Sequence, residues 1–333
     1  MPSQRLSLQN YVAGIRSGDR LILSRAITLT ESQLTSDKVL SEQLLNEISG
    51  EKKEAIRIAI TGVPGVGKST FIEAFGTLLT SQQKSVAVLS VDPTSQRSKG
   101  SIMGDKTRMD TLSYNPLAYV RPSPTGGSLG GVTDSTAETI LLCEAAGYEI
   151  IIVETVGVGQ SETIVKEMVD FFLLLMLPGA GDELQGIKRG IMEMADLVAI
   201  NKADENPLKA KQAQAEYRNA LHLFPATESG WIPEVLTCSA IQQTGLIEIW
   251  QQIVDYERQL KANGFWQRQR DEQRITWMHR YIQQQLLQRF YSHDAVKKAI
   301  TTAEDDVQAG KTLPITAAKK LLNIQSEKFR RNS

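Results

Sequence analysis

The chain of 333 residues has only two cysteines, Cys143 and Cys238, and three histidines, His222, His279 and His293. Two thiols this far apart in sequence build neither a disulfide framework nor a CxxC metal site. Three scattered imidazoles supply no His-rich metal tract. Long apolar runs are missing as well. The longest, Phe171 to Leu177, stops at Pro178, far short of the roughly 20 residues that a membrane-spanning helix needs. The opening Met1-Pro2-Ser3-Gln4-Arg5 lacks a charged-then-apolar leader pattern. Charge of one sign is not in excess: 37 basic residues face 38 acidic ones. Neither nucleic acid nor an anionic membrane is therefore expected as a partner. The remaining composition is that of an ordinary globular protein, expected to be cytoplasmic, with one large domain and an appendage.

The apolar pattern changes twice along the chain. Residues 1–50 read as a helical N-terminal extension, with Leu6, Leu8, Val12 and Ile15, then Val39, Leu40, Leu44, Leu45 and Ile48, at helical spacing. From residue 51 to 245, short apolar strands alternate with helices. Strands are expected at Ile56–Ile60, Ser85–Val91, Ala118–Arg121, Glu149–Val153, Phe171–Leu177, Leu197–Ile200 and Val235–Cys238. Helices are expected at Thr70–Thr80, Ser135–Ala146 and Pro207–Leu223, and between Phe171–Leu177 and Leu197–Ile200. This alternation predicts a three-layer α/β fold, with a mostly parallel sheet covered on both faces. Polar residues follow strand after strand at the carboxyl end, where open α/β sheets bind ligands. Residues 246–333 turn helical again. Ile249, Ile253, Tyr256 and Leu260 precede Gly264, which interrupts the pattern, and Ile275, Met278, Ile282 and Leu286 follow it.

The first polar motif is Gly62-Val63-Pro64-Gly65-Val66-Gly67-Lys68-Ser69-Thr70, a full GxxxxGK[ST] between a strand and a helix. Glycines let backbone N–H groups turn inward around phosphate oxygens, and the helix N-terminus adds positive potential. Lys68 reaches the β- and γ-phosphates, and Ser69 is the expected Mg²⁺ ligand. Asp92 ends the second strand and Asp105 lies in the polar loop after it. Each is either a metal or water contact or a turn cap. Glu154-Thr155-Val156-Gly157 follows the strand Ile150–Val153. That is the place of a Walker B acid and of a glycine that senses the γ-phosphate. Glu154 is therefore either a catalytic and metal-shell residue or a solvated strand-end carboxylate.

The second motif, Asn201-Lys202-Ala203-Asp204, also ends an apolar strand. A carboxylate at Asp204 accepts hydrogen bonds from both the ring N–H and the exocyclic amine of guanine. Adenine has no amine at that position and leaves the acid partly unpaired, at a cost of about 1–3 kcal/mol. Asn201 braces the loop and the Lys202 stem covers the base or ribose. Ser239, Ala240 and Ile241 follow the next strand, where a backbone N–H meets the guanine carbonyl. The implied ligand is GTP or GDP with Mg²⁺.

Four longer stretches carry a family resemblance: Val91–Ser95, Gly104–Met109, Glu154–Glu162 and Gly181–Lys188. Together with the two nucleotide motifs they resemble the MeaB/ArgK family of SIMIBI-class P-loop GTPases, which includes the methylmalonic aciduria type A protein, and the similarity covers nearly the whole chain. The resemblance implies a GTPase chaperone of an adenosylcobalamin-dependent acyl-CoA mutase, typically methylmalonyl-CoA mutase, that couples GTP hydrolysis to cofactor loading and to protection of the mutase. It implies a homodimer, with residues 246–333 as the dimerisation arm. It puts Lys68 and Glu154 in catalysis, Ser69, Asp92, Asp105 and Glu154 around magnesium, and Gly157, Asp182 and Lys188 in switch and partner segments. The loop Pro178–Lys188, with Gly179, Gly181 and Gly186, would communicate with the mutase. Cobalamin has no evident ligand in this chain and is placed on the partner. Lys106, Arg108 and Lys188 are candidate finger residues.

Three other readings stand beside this one. A nickel-delivery GTPase of the same class needs Cys and His ligands that are scarce here. A kinase of an arginine/ornithine transport-binding protein needs an ATP preference, which the Asn201–Asp204 motif disfavours. A helical dimer scaffold with a vestigial nucleotide site conflicts with the complete phosphate loop.

Overall fold

The structure is a computed structural model that describes residues 5–32, 34–50, 54–91, 109–121, 129–155, 161–179 and 189–331. Three helices, α1 (Leu8–Arg16), α2 (Arg20–Thr30) and α3 (Thr35–Ile48), open the chain. Ser7 and Asp19 cap α1 and α2 by accepting backbone N–H bonds, which satisfies donors that a helix start leaves open. The α/β part then runs β1 (Ile56–Gly62), α4 (Lys68–Ser81), β2 (Val86–Val91), α5 (Asp110–Tyr114), β3 (Ala118–Arg121), α6 (Leu129–Ala145) and β4 (Ile150–Thr155). It continues with α7 (Ser161–Lys166), β5 (Phe171–Met176), α8 (Arg189–Met194), β6 (Leu197–Ile200), α9 (Pro207–Leu221) and β7 (Glu234–Thr237). Helices α10 (Leu246–Ala262), α11 (Phe265–Ser292), α12 (Asp294–Gln308) and α13 (Pro314–Arg331) complete the chain.

The seven strands form one sheet in the order β3-β2-β4-β1-β5-β6-β7, and every pair is parallel. A parallel sheet covered on both faces needs strands that are apolar on both sides, and β2, β4, β5 and β6 are buried at every residue. The register sets Ile60 of β1 and Ser90 of β2 level with Glu154 of β4, so a buried acid stands between two neighbouring strand ends. All strands point the same way, so the motif-bearing carboxyl ends share one edge. Helix α2 packs against α6, which places the N-terminal helices on the sheet's α6 side.

The chain divides into two compact units, Met1–Asp271 and Glu272–Ser333. In the first unit α10 belongs to the core: Leu246, Ile249, Ile253, Tyr256 and Leu260 are buried in one cluster with Phe171, Leu173 and Leu175 of β5. Burial of such side chains contributes about 1.5–3 kcal/mol each. Tyr256 meets Phe171 edge-on at 4.9 Å and Trp231 at 5.2 Å.

The amino edge of the sheet is closed by a buried ion pair. Arg270 donates from Nε to Asp170 Oδ1 at 2.9 Å and from Nη2 to Oδ2 at 2.7 Å and to the Ala55 carbonyl at 2.6 Å. Asp170 also accepts the Arg57 backbone N–H at 2.8 Å, and its carbonyl accepts the Tyr256 hydroxyl at 2.9 Å. The guanidinium lies 4.7 Å from the Trp266 ring. The root of α11 is thus tied to the first residues of β1 and β5.

In the second unit α12 and α13 pack on each other, with Val296 and Ala317 buried. Ile275, Met278, Ile282 and Leu286 of α11 are exposed along one helical face. No helix among the described residues is long and apolar enough to cross a membrane.

Candidate active site

β1 delivers the phosphate loop at the carboxyl edge of the sheet. A side chain at Gly62 would put its Cβ 2.4 Å from the Leu175 carbonyl, so only glycine lets the loop leave the sheet there. Gly67 caps α4 at φ 90°, a left-handed conformation that side chains disfavour. Between them Val66 is buried, Val63 is half-buried and Pro64 and Gly65 are exposed, so the apolar side chain anchors the loop while its tip faces outward. Thr70, in the first turn of α4, is exposed.

Lys68 Nζ donates to the Gly62 carbonyl at 2.9 Å and reaches the Val63 carbonyl at 3.5 Å. The ammonium therefore lies back along the loop it serves. Burial pulls its pKa below the ordinary lysine value, opposed by the nearby carboxylates of Glu154 and Glu162. Ser69 Oγ donates to Glu154 Oε1 at 3.2 Å, and Ser90 Oγ donates to Oε2 at 3.3 Å. Glu154 is thus a buried acid gripped from α4 and from β2, not a solvated strand-end carboxylate.

The structure joins the base motif to the phosphate loop through Asn201. This buried side chain donates from Nδ2 to the Val66 carbonyl at 2.9 Å, across 135 residues of sequence. Its Oδ1 accepts the Ala240 N–H at 3.2 Å and the Cys238 thiol at 3.6 Å. Burial pushes the Cys238 thiol up to about 12, so the thiol keeps its proton and stays a donor. Ala203 N–H donates to the Cys238 carbonyl at 3.0 Å. Lys202 adopts φ 58°, an uncommon left-handed state for a non-glycine residue, and it turns the chain so that Lys202 and Asp204 lie half-buried above the strand end. Ser239 and Ala240 are buried, and Ile241 is exposed. Ser239 bridges to Thr244 through two backbone bonds, which holds this second base-side loop closed.

The structure therefore brings Gly62–Ser69, Glu154, Asn201, Ser239 and Ala240 into one polar edge. Asp92, Asp105, Gly157, Asp182 and Lys188 lie outside the described residues, as do Lys106 and Arg108. Ser69 and Glu154 are hard oxygen donors close enough to share a small cation, which suits Mg²⁺. Among the described residues there is no cluster of three or more His, Cys, Asp or Glu that could cage a metal. A cation held by one hydroxyl and one acid and completed by phosphate oxygens and water is the usual arrangement for Mg²⁺.

Two residues of this edge escape a reading by motif. Ser90 looks like any other strand serine in sequence and shows its role only when β2 pairs with β4. Glu162 belongs to the Glu154–Glu162 stretch, but its full burial in the first turn of α7 depends on how that helix packs beside β1 and β4.

The comparisons with known proteins agree with this geometry. The family described as methylmalonyl Co-A mutase-associated GTPase MeaB matches residues 23–295. The methylmalonic aciduria type A homolog of Mus musculus, a mitochondrial protein, is 45% identical over 320 residues, 93% of this chain and 77% of that one. GTPase ArgK of Escherichia coli is 45% identical over 289 residues, 86% of this chain and 87% of that one. A solved structure described as LAO/AO transport system kinase is 36% identical and superposes with a TM-score of 0.76, covering 98% of this chain and all of that one.

Proposed function

Because the chain belongs to the MeaB family of methylmalonyl-CoA mutase-associated GTPases, we propose that its nucleotide cycle assists cofactor loading and protection of an adenosylcobalamin-dependent acyl-CoA mutase, of which methylmalonyl-CoA mutase is the first candidate. The chain is a GTPase. The partner reading is supported by the family's mutase association, and the nucleotide cycle it needs is supported by Asn201, which ties the phosphate loop to the backbone at Ala240.

The residues divide the work as follows. Backbone N–H groups of residues 62–70 cradle the phosphates. Lys68 neutralises charge on the β- and γ-oxygens as the γ-phosphoryl group transfers to water. Asp204 selects guanine. Ser69 and Glu154, with Asp92 and Asp105, hold Mg²⁺, which supplies charge neutralisation at the phosphates when bound. Glu154 would orient the attacking water. Gly157 and the loop carrying Asp182 and Lys188 report nucleotide state to the mutase. Cobalamin stays on the partner. The chain works as a homodimer, a reading supported by the exposed apolar face of α11.

Retention of purified methylmalonyl-CoA mutase on the immobilised chain tests this reading, with GDP and with a non-hydrolysable GTP analogue. Retention that differs between the two nucleotides is expected. No retention with either would sink the partner assignment.

A further inference from the structure

Beside Glu154 the sheet holds two hydroxyls that no part of the nucleotide chemistry uses. Thr155 Oγ1 donates to Thr61 Oγ1 at 2.8 Å, and both residues are fully buried. Thr61 precedes Gly62, whose carbonyl receives the Lys68 ammonium. Thr155 follows Glu154, which accepts the Ser69 hydroxyl. The backbone register between β1 and β4 reaches its last pair at Ile60 and Glu154. One residue further Thr61 pairs with Leu174 of β5, and Thr155 with Val91 of β2. At the site itself, among the described residues, this side-chain bond links the two strand ends. Strand alternation puts the threonines on the sheet face opposite Ile60 and Glu154.

Packing alone does not call for threonine here. Valine has the same shape, favours strands as well and carries no hydroxyl to desolvate. A buried hydroxyl costs free energy unless it is bonded, and replacing both members of such a pair by apolar isosteres is often neutral for stability. A fully buried, bonded pair of threonines between apolar strands thus points to a requirement for fixed geometry rather than for stability.

We propose that Thr61 and Thr155 are a positioning pair for GTP hydrolysis: their hydroxyl bond fixes the start of the phosphate loop against the strand end that carries Glu154. Lys68 and Glu154 then face the γ-phosphate at one set distance. The pair touches no substrate and acts through those two residues.

The test compares Thr61→Val, Thr155→Val, the double variant and Thr155→Ser. Each single valine leaves one buried hydroxyl unpaired and lowers Tm. The double variant keeps the wild-type Tm and GDP affinity, while kcat for GTP falls about tenfold or more and KM stays within a factor of about two, as expected for lost alignment of reacting groups. Thr155→Ser restores most of the rate because the hydroxyl returns. A double variant with wild-type kcat would overturn the proposal. So would one that melts well below the wild type, or one whose GDP affinity falls in step with kcat, since the pair would then serve the fold or the binding site. The inference rests on Lys68 and Glu154 acting in hydrolysis. Glu154→Gln measured alongside separates the two: wild-type turnover in that variant removes the assignment of Glu154, whatever the valine variants do.

Discussion

The two edges of the sheet handle buried charge in opposite ways. At the amino edge Asp170 is met by two guanidinium nitrogens and a backbone N–H, and Arg270 is met by Asp170, a carbonyl and an aromatic ring. At the carboxyl edge Lys68 rests on two carbonyls, and burial lowers its pKa against the pull of two carboxylates. The first arrangement is closed upon itself. The second favours an added anion, because phosphate oxygens would supply the full charge partner that carbonyl dipoles do not. Charge satisfied within the fold serves structure, and charge held against desolvation serves ligand binding.

The contrast breaks most readily at Lys68. Lys68→Ala should lower kcat/KM for GTP by at least about a hundredfold, as for loss of a charged group at a transferring phosphoryl, with Tm unchanged or raised. A normal turnover rate in a steady-state phosphate-release assay would remove the residue from the site. At the other edge the order of effects reverses. Arg270→Met leaves Asp170 buried without its cation and should cost about 3–5 kcal/mol of stability, read from urea unfolding, with kcat for GTP retained below the melting range. Retained stability would mean that Asp170 finds another partner. A smaller effect is expected at the base loop. Asp204→Asn replaces an acceptor with a side chain that also donates, and should erode the preference for GTP over xanthosine triphosphate by about 1–3 kcal/mol. Competition binding with both nucleotides measures it, and an unchanged ranking would count against base reading by Asp204.

The two edges also differ in how far they were legible. At the carboxyl edge contiguous motifs announce themselves, because a phosphate loop needs its glycines, lysine and serine in one run. The strands from Ile56 to Cys238 were legible for a related reason: buried parallel strands are short apolar runs, and the structure moves their ends by at most two residues. Helix α6 begins earlier than its apolar pattern suggests, at Leu129, and the short α5 at Asp110–Tyr114 has no period long enough to read. The amino edge carries no motif. Asp170 looks like a charge at the head of an apolar run, and Arg270 is one of many polar residues in a Gln- and Arg-rich helix. Their bond spans 100 residues and exists only through tertiary packing. The grip of Ser90 on Glu154 and the bond from Asn201 to Val66 are of the same kind. Motifs in the sequence marked the candidate site, and the fold supplied the residues that hold those motifs in place.

The most direct test of the account is GTP turnover by the purified chain at saturating GTP and Mg²⁺, with and without purified methylmalonyl-CoA mutase. The account predicts slow turnover alone and a several-fold rise when the mutase is added, with no rise for Lys68→Ala. A rate unchanged by the mutase would contradict it.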